Sequence, residues 1–299
     1  MTTGTRTSNW ARWGPDDQAG TGNLFTPEVV RQAVGLVTEG RVLSLAVPIR
    51  ASKLPQFAGR PPVIHTMRWD AGDFWAAGVD ADSTKSADDY IFTPVHGTTH
   101  VDALAHAWYG EELYNGVSQK LVRSGGARRL GAEHLRPMVG RGVLLDAVRF
   151  LDAPPAPGDP ITRTDVEQIL DAQGVTLQPG DIVLVRTGWL KTWQAASAAD
   201  KPGLVDLEQG LHADTVDLFV EADTAAVGTD NVTLEVWPDP EGRNTPFHRR
   251  MIRDYGVYLM ELLDLEALAE SGRFEFLFVG APLPISGGTG SPLNPLAVL

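Results

Sequence analysis

His96-Gly97-Thr98-Thr99-His100-Val101-Asp102-Ala103-Leu104-Ala105-His106, entered from Tyr90-Ile91-Phe92-Thr93-Pro94-Val95, is the stretch from which the rest of the chain is read. It gathers three of the seven histidines and one carboxylate. Imidazole nitrogen and carboxylate oxygen are the ligands that ions such as Zn²⁺ and Mn²⁺ accept. The upstream segment is rich in β-branched and aromatic residues, so it reads as a short strand, with Pro94 marking an edge or an end. His96 and His100 are four apart, His100 and Asp102 two, Asp102 and His106 four. A spacing of four shares a helix face, and a spacing of two shares one face of an extended segment. A strand end, a turn and a first helical turn would therefore aim all four side chains at one point. The competing reading is a chance cluster of surface or core histidines.

The stretch resembles the signature of the metal-dependent cyclase family, which includes bacterial kynurenine formamidases and isatin hydrolases. That signature runs His-x-Gly-Thr-His-x-Asp-x-Pro-x-His. All four polar positions match, while Thr98 replaces the glycine, Gly97 falls one position earlier and Leu104 replaces the proline. The family's late His and following Glu are matched in order by His248 and Glu261. Arg186-Thr187-Gly188-Trp189 and Gly287-Gly288-Thr289-Gly290-Ser291-Pro292 also look like family stretches. The resemblance implies an α/β fold: a single domain with a mixed, partly barrel-like sheet and surrounding helices, of the swivelling β/β/α type. It implies His96, His100 and Asp102 as metal ligands, with Asp102 able to bridge to a second ion at His248 and Glu261. His106 resembles the family's catalytic histidine. The cofactor is then a divalent metal, Zn or Mn, as one ion or two. Without the resemblance, Glu261 has a simpler role as salt-bridge partner of Arg249, Arg250 or Arg253.

Composition narrows the function from another side. The chain has 299 residues and a net charge of −13, which disfavours nucleic-acid and anionic-membrane partners because both reward basic surface. There is no cysteine, so disulfides, thiolate nucleophiles and thiolate metal sites are excluded. No apolar run is long enough to span a bilayer, and the polar N-terminus lacks the apolar core of a signal peptide. The expectation is a cytoplasmic protein with a small-molecule substrate, assembled as a homodimer or higher homo-oligomer.

The remaining segments read as one domain over residues 1–299, with residues 1–25 as an N-terminal extension and a mobile, Thr/Ser-rich start. Thr26-Pro27-Glu28 is a helix start: Thr caps, Pro occupies the first position and Glu faces the positive dipole end. Strands are expected at 41–49, 63–69, 142–148, 182–185, 225–228, 257–263 and 274–279, and helices at 162–174, 213–221 and 247–255. Loops are expected at 51–62 and 72–87, and the Gly/Pro-rich tail after Pro282 should be irregular. Asp230 and Asn231 read as a turn-forming pair. Phe92, Trp108 and Tyr109 flank the histidine stretch, where aromatic rings either stack on a flat substrate or pack as ordinary core.

Taken together, the residues favour a metal-dependent hydrolase of an amide, formamide, lactam or imide C–N bond, similar to kynurenine formamidase and isatin hydrolase. The alternatives are a metal-dependent cyclase or dehydratase in a biosynthetic pathway, and a non-catalytic metal-binding protein. His65, His134 and His212 have no partner pattern and read as surface or capping residues.

Overall fold

The computed structural model describes residues 7–50, 54, 55, 57 and 59–299; the polar start of the chain and parts of the expected 51–62 loop lie outside them. In chain order the principal elements are α1 (Pro27–Val34), β1 (Val42–Ser44), β2 (Ile64–Trp69), α2 (Ala71–Ala76), β3 (Asp88–Phe92) and β4 (His100–Asp102). They continue with β5 (Met138–Asp146), α3 (Arg163–Gln173), β6 (Ile182–Arg186), α4 (Trp189–Ala195), α5 (Thr215–Glu221) and β7 (Ala226–Thr229). The last are α6 (Pro246–Arg249), β8 (Tyr258–Glu261), α7 (Glu266–Ser271), β9 (Glu275–Gly280), β10 (Gly290–Pro292) and β11 (Leu296–Val298).

Nine strands form one curled, half-barrel sheet in the order β1-β11-β9-β5-β6-β7-β8-β4-β10. The fold is thus the mixed α/β architecture that the resemblance implied. The four central strands β5, β6, β7 and β8 run parallel, and the strands on either side are antiparallel. Parallel strands covered on both faces need side chains that tolerate full burial. Ile182-Val183-Leu184-Val185 meets that requirement and is wholly buried. Helix α1 packs against β5 and β9, and α3 packs against β5 and α5.

Local chemistry sets the boundaries. Thr162 and Asp165 form a reciprocal capping box at the start of α3, with Thr162 N and Oγ1 each donating to Asp165 Oδ2 at 2.7 Å. Gly174 ends that helix in the left-handed region at φ 67°. Thr26 caps α1.

Four expectations change. The tail after Pro282 is not wholly irregular: β10 closes one edge of the sheet, and β11 fits between β1 and β9. Backbone pairing there outweighs the turn-forming composition. Residues 72–87 begin within a short helix, α2, because Asp70 and Asp73 make a second capping box. Residues 247–255 form α6 followed by a π-helical turn over Arg250–Asp254. The strand before His96 ends at Phe92 and pairs only with β2, as a separate hairpin outside the main sheet. Among the described residues no helix is long and apolar enough to cross a membrane.

Candidate metal centre

The site lies where the parallel part of the sheet gives way to the antiparallel part, at the carboxyl end of β8. Parallel strands leave their loops and ligand-binding side chains at that end. Strand register does the first part of the assembly. Glu261, the last residue of β8, pairs opposite His100 on β4, so the two side chains share one face of the sheet. On the other side of β4, Asp102 pairs opposite Gly290 of β10. His100 and Asp102 are two apart on one strand and point the same way.

His96 arrives from a single 3₁₀ turn, Val95–Gly97, and His106 from the turn after β4, where its N–H bonds the Ala103 carbonyl at 2.9 Å. The expected helical turn does not form here; a strand flanked by two turns achieves the same convergence. Gly290 makes room for it. A Cβ on Gly290 would lie 2.8 Å from His96 Cε1, so only glycine leaves that ring its place. Thr98, the departure from the family glycine, sits in extended backbone at φ −130° and ψ 179°, a conformation open to any residue. Its carbonyl accepts from His100 Nδ1 at 2.7 Å.

Each of three histidines has its outer nitrogen engaged away from the centre. His96 Nε2 meets the Thr289 hydroxyl at 3.1 Å, His100 Nδ1 meets the Thr98 carbonyl, and His248 Nδ1 meets Glu235 Oε1 at 2.8 Å. The inner nitrogens turn toward Asp102. His96 Nδ1 is 2.9 Å and His100 Nε2 3.4 Å from Asp102 Oδ1, while His248 Nε2 is 3.7 Å from Oδ2. Glu261 closes the ring, 3.3 Å from His100 Nε2 and 2.9 Å from His248 Nε2. His106 Nε2 stands 3.9 Å from Asp102 Oδ1, and its ring stacks on His96 with centroids 3.9 Å apart.

Two ligand groups share Asp102: His96, Asp102 and His106 in one, Asp102, His248 and Glu261 in the other. His96 Nδ1, His100 Nε2 and both Asp102 oxygens are buried without a hydrogen-bond partner. Buried polar atoms left unpaired are costly, so a converging set of them calls for an ion or for shared protons. Their nitrogen and oxygen chemistry fits a borderline divalent cation.

Electrostatics follow the same pattern. Burial alone would push the Asp102 carboxyl up, yet His106, His100 and His96 around it hold it well below the usual carboxylate range. Burial opposes charge on His248, but Glu235 and Glu261 raise it well above the ordinary imidazole value. His100 is likewise raised by Asp102 and Glu261 against its burial. His106 goes the other way. Its burial, helped by the neighbouring histidines, outweighs Asp102 and pushes it down to about 3. The cluster thus contains one imidazole pushed down, His106, beside two pushed up, His100 and His248.

Beside this cluster is a cavity of about 200 Å³. His106, His248 and Glu261 form its polar wall, with Phe57, Arg60, Val232 and Trp237 among the rest. Phe92, Trp108 and Tyr109 are not on that wall. Phe92 is 61 % exposed on the separate hairpin. Trp108 packs on the core and donates to Gln119 at 3.0 Å. Tyr109 bonds the Asp254 carboxylate at 2.8 Å beneath the guanidinium of Arg253. The arginines that the sequence offered to Glu261 have other partners: Arg250 pairs with Asp217, Arg253 with Asp254, and Arg249 lies over the Tyr109 ring.

Sequence reading passed over Glu235, Thr289, Gly290, Phe57 and Trp237. Gly290 and Thr289 lay inside a quoted family stretch, but the others carry no local signal. Asp230 and Asn231 also do more than turn the chain. Asp230 is buried and accepts from Thr187 N and Oγ1 and from Gly188 N at 2.7–2.8 Å, tying the end of β7 to the end of β6.

The sequence model of the putative cyclase family matches residues 43–236. An isatin hydrolase of Roseibium aggregatum is 23% identical over 228 residues, covering 74% of this chain and 78% of that protein. A solved structure of a novel cyclase is 40% identical and superposes with a TM-score of 0.92, covering 98% of this chain and 100% of the other. An isatin hydrolase bound to the product analogue thioisatinate shares the fold at 18% identity, with a TM-score of 0.63 over 89% of this chain and 94% of the other. A predicted metal-dependent hydrolase from Bacillus stearothermophilus does so at 20% identity and a TM-score of 0.56, over 86% and 97%.

Proposed function

We propose that this chain, which belongs to the putative cyclase family, is a divalent-metal-dependent hydrolase of a C–N bond in an amide, formamide, lactam or imide. The observation that carries the reading is the convergence of His96, His100, His248 and Glu261 on Asp102, with four of their ligand atoms buried and unpaired. These five residues would hold the ion or ions, zinc or manganese, with Asp102 able to serve both; His106, which lies within reach of the His96–Asp102 pair, is left free of the ion in this reading. Such an ion supplies Lewis-acid polarisation of a carbonyl and brings the pKa of water toward neutrality.

His106 is the acid/base in this reading. It lines the cavity with its Nε2 3.9 Å from Asp102 Oδ1, within reach of both the ligand cluster and a bound substrate. It takes a proton from the attacking water and returns one to the leaving nitrogen. The apolar part of the wall, Phe57, Val232 and Trp237, suits a flat or aromatic acyl group, and Arg60 offers a cation to a developing carboxylate. The isatin hydrolase relative supports a cyclic amide as a starting substrate class.

The test is metal analysis of purified protein, followed by a panel of N-formyl aromatics, isatins, lactams and cyclic imides assayed with Zn²⁺ and Mn²⁺. His96→Ala should abolish both stoichiometric metal and any hydrolysis. A metal-free wild type, or hydrolysis that survives His96→Ala, removes the reading. The 40% identity to a solved novel cyclase favours a second reading, in which His106 moves a proton at carbon during cyclisation or dehydration. Isotopic water separates the two, since hydrolysis places its oxygen in the product and cyclisation does not.

We further propose that the protein works as a homodimer or higher homo-oligomer. The support is the β2–β3 hairpin, whose residues Ile64, Tyr90, Ile91 and Phe92 are all more than half exposed; Trp75 of α2, in the segment joining the two strands, is 86 % exposed. A lone two-stranded hairpin is marginal in water, and exposed apolar patches of this kind mark contact surfaces.

A further inference from the structure

Glu235 is buried beside His248. Its Oε1 accepts from His248 Nδ1 at 2.8 Å and from the His248 backbone N–H at 3.1 Å. Its Oε2 accepts from the Phe247 N–H at 2.9 Å. One carboxylate thus grips both the ring of His248 and the backbone that carries it. Glu235 is itself held in place. The Thr233 hydroxyl donates to the Glu235 carbonyl at 2.7 Å. The N–H groups of Val232 and Thr233 donate to Glu208 Oε2 at 2.9 and 3.1 Å. A side chain on Gly210 would meet the Glu235 carbonyl carbon at 2.5 Å, so the two backbones are in close contact.

We propose that Glu235 is a positioning residue for divalent-ion binding: it orients His248 so that Nε2 faces Asp102 and Glu261. The inference rests on the metal reading above. An ionised carboxylate only accepts, so the His248 nitrogen facing it must carry the hydrogen. Nδ1 is therefore the N–H, and Nε2 is the nitrogen turned inward, 2.9 Å from Glu261 Oε1 and 3.7 Å from Asp102 Oδ2. Among the described residues the corresponding partners of His96 and His100 are a hydroxyl and a backbone carbonyl. Only His248 has a carboxylate, which orients a ring more strongly and raises its basicity as a ligand. The Asp102–His248–Glu261 group is accordingly the one whose affinity depends on a residue outside it.

The experiment compares wild type, Glu235→Gln and Glu235→Ala, with Thr162→Ala as a variant that weakens the start of α3, where Thr162 bonds Asp165 and no ligand-bearing residue. Zn²⁺ affinity of metal-stripped protein is measured by calorimetry, and the His248 tautomer in zinc-loaded protein by ¹⁵N NMR. Glu235→Gln, which keeps the side-chain shape and one acceptor oxygen, should weaken Zn²⁺ binding roughly 10- to 100-fold. Glu235→Ala should weaken it further, and Thr162→Ala should leave it unchanged. The wild-type spectrum should show hydrogen on Nδ1, and the Gln variant a mixture of tautomers. Wild-type affinity and tautomer in Glu235→Gln would overturn the proposal while leaving the metal reading intact. Equal weakening by Thr162→Ala would also overturn it, because the effect would then follow stability. A wild type that binds neither Zn²⁺ nor Mn²⁺ overturns the metal reading itself, and this one with it.

Discussion

Asp102 is the residue that both ligand groups need. It lies within 4 Å of His96, His100, His106 and His248 nitrogens. Asp102→Asn keeps the shape and removes the charge, so it should reduce bound metal to background by elemental analysis, more severely than His248→Ala, which removes one ligand from one group. Stability should report the same charges. His248 and His100 are raised, so their contribution is complete below the unfolded value near 6.5 and lost as pH rises through their folded values. His106 is depressed to about 3, so the unfolded chain takes up its proton first and stability falls as pH drops from 6.5 toward 3. Burial pushes Glu208 up to about 8 and Asp230 up to about 6, which opposes the His106 contribution below pH 6.5, so the melting temperature of metal-stripped protein should decline clearly only as pH rises above about 6.5. Saturating Zn²⁺ should flatten the alkaline limb, since the ion replaces the protons on His100 and His248. A melting curve that rises steadily from pH 6 to 9 would contradict this.

At the scale of elements, the site depends on strand register and on ties between strand ends. β10 matters because Gly290 faces Asp102 and leaves space for His96. Gly290→Ala forces the His96 ring to move; it should cost about 1–3 kcal/mol by denaturant unfolding and weaken Zn²⁺ binding. The parallel strands are tied at their carboxyl ends. Arg186 at the end of β6 pairs with Asp146 at the end of β5, both at 2.8 Å, and with Glu266 at the start of α7. Asp230 ties β7 to the same corner. The Arg186-Thr187-Gly188-Trp189 stretch, which resembled the family, therefore braces the strand ends. At α3, Thr162→Ala removes one half of a capping box and should cost about 1 kcal/mol with metal binding unchanged.

At the scale of the molecule, the β2–β3 hairpin leaves apolar residues exposed among the described residues. The β2–β3 hairpin is held by His65–Asp89 and Arg68–Asp88 pairs across its strands, while its apolar residues face outward. Exposed ion pairs of this kind contribute little, so the surface is expected to be covered by another copy. Light scattering after size exclusion should give a mass at least twice that of the chain. Replacing Trp75 and Phe92 together with Asp should shift it to the single-chain mass. A wild-type monomer at micromolar concentration would remove the proposal.

Much of this was legible along the chain because it depends on neighbours. The capping boxes, the apolar run of β6 and the His96–His106 spacing are local, and local geometry follows from local residue types. The family resemblance placed His248 and Glu261 in the same set. Other features depend on contacts between distant segments, which periodicity does not encode. The strand at Leu296–Val298 exists because β1 and β9 offer it hydrogen bonds. Phe92, Trp108 and Tyr109 are adjacent to the histidines in sequence yet do not line the cavity, whose wall comes from Phe57, Val232 and Trp237. Glu235 is thirteen residues before His248 with no motif between them, and only the folded chain closes the 2.8 Å bond. The amino-acid sequence by itself determined which side chains can hold an ion, because ligand chemistry belongs to the residue. The tertiary structure alone decided which of their atoms face inward and what surrounds them, because orientation and burial belong to the packed whole.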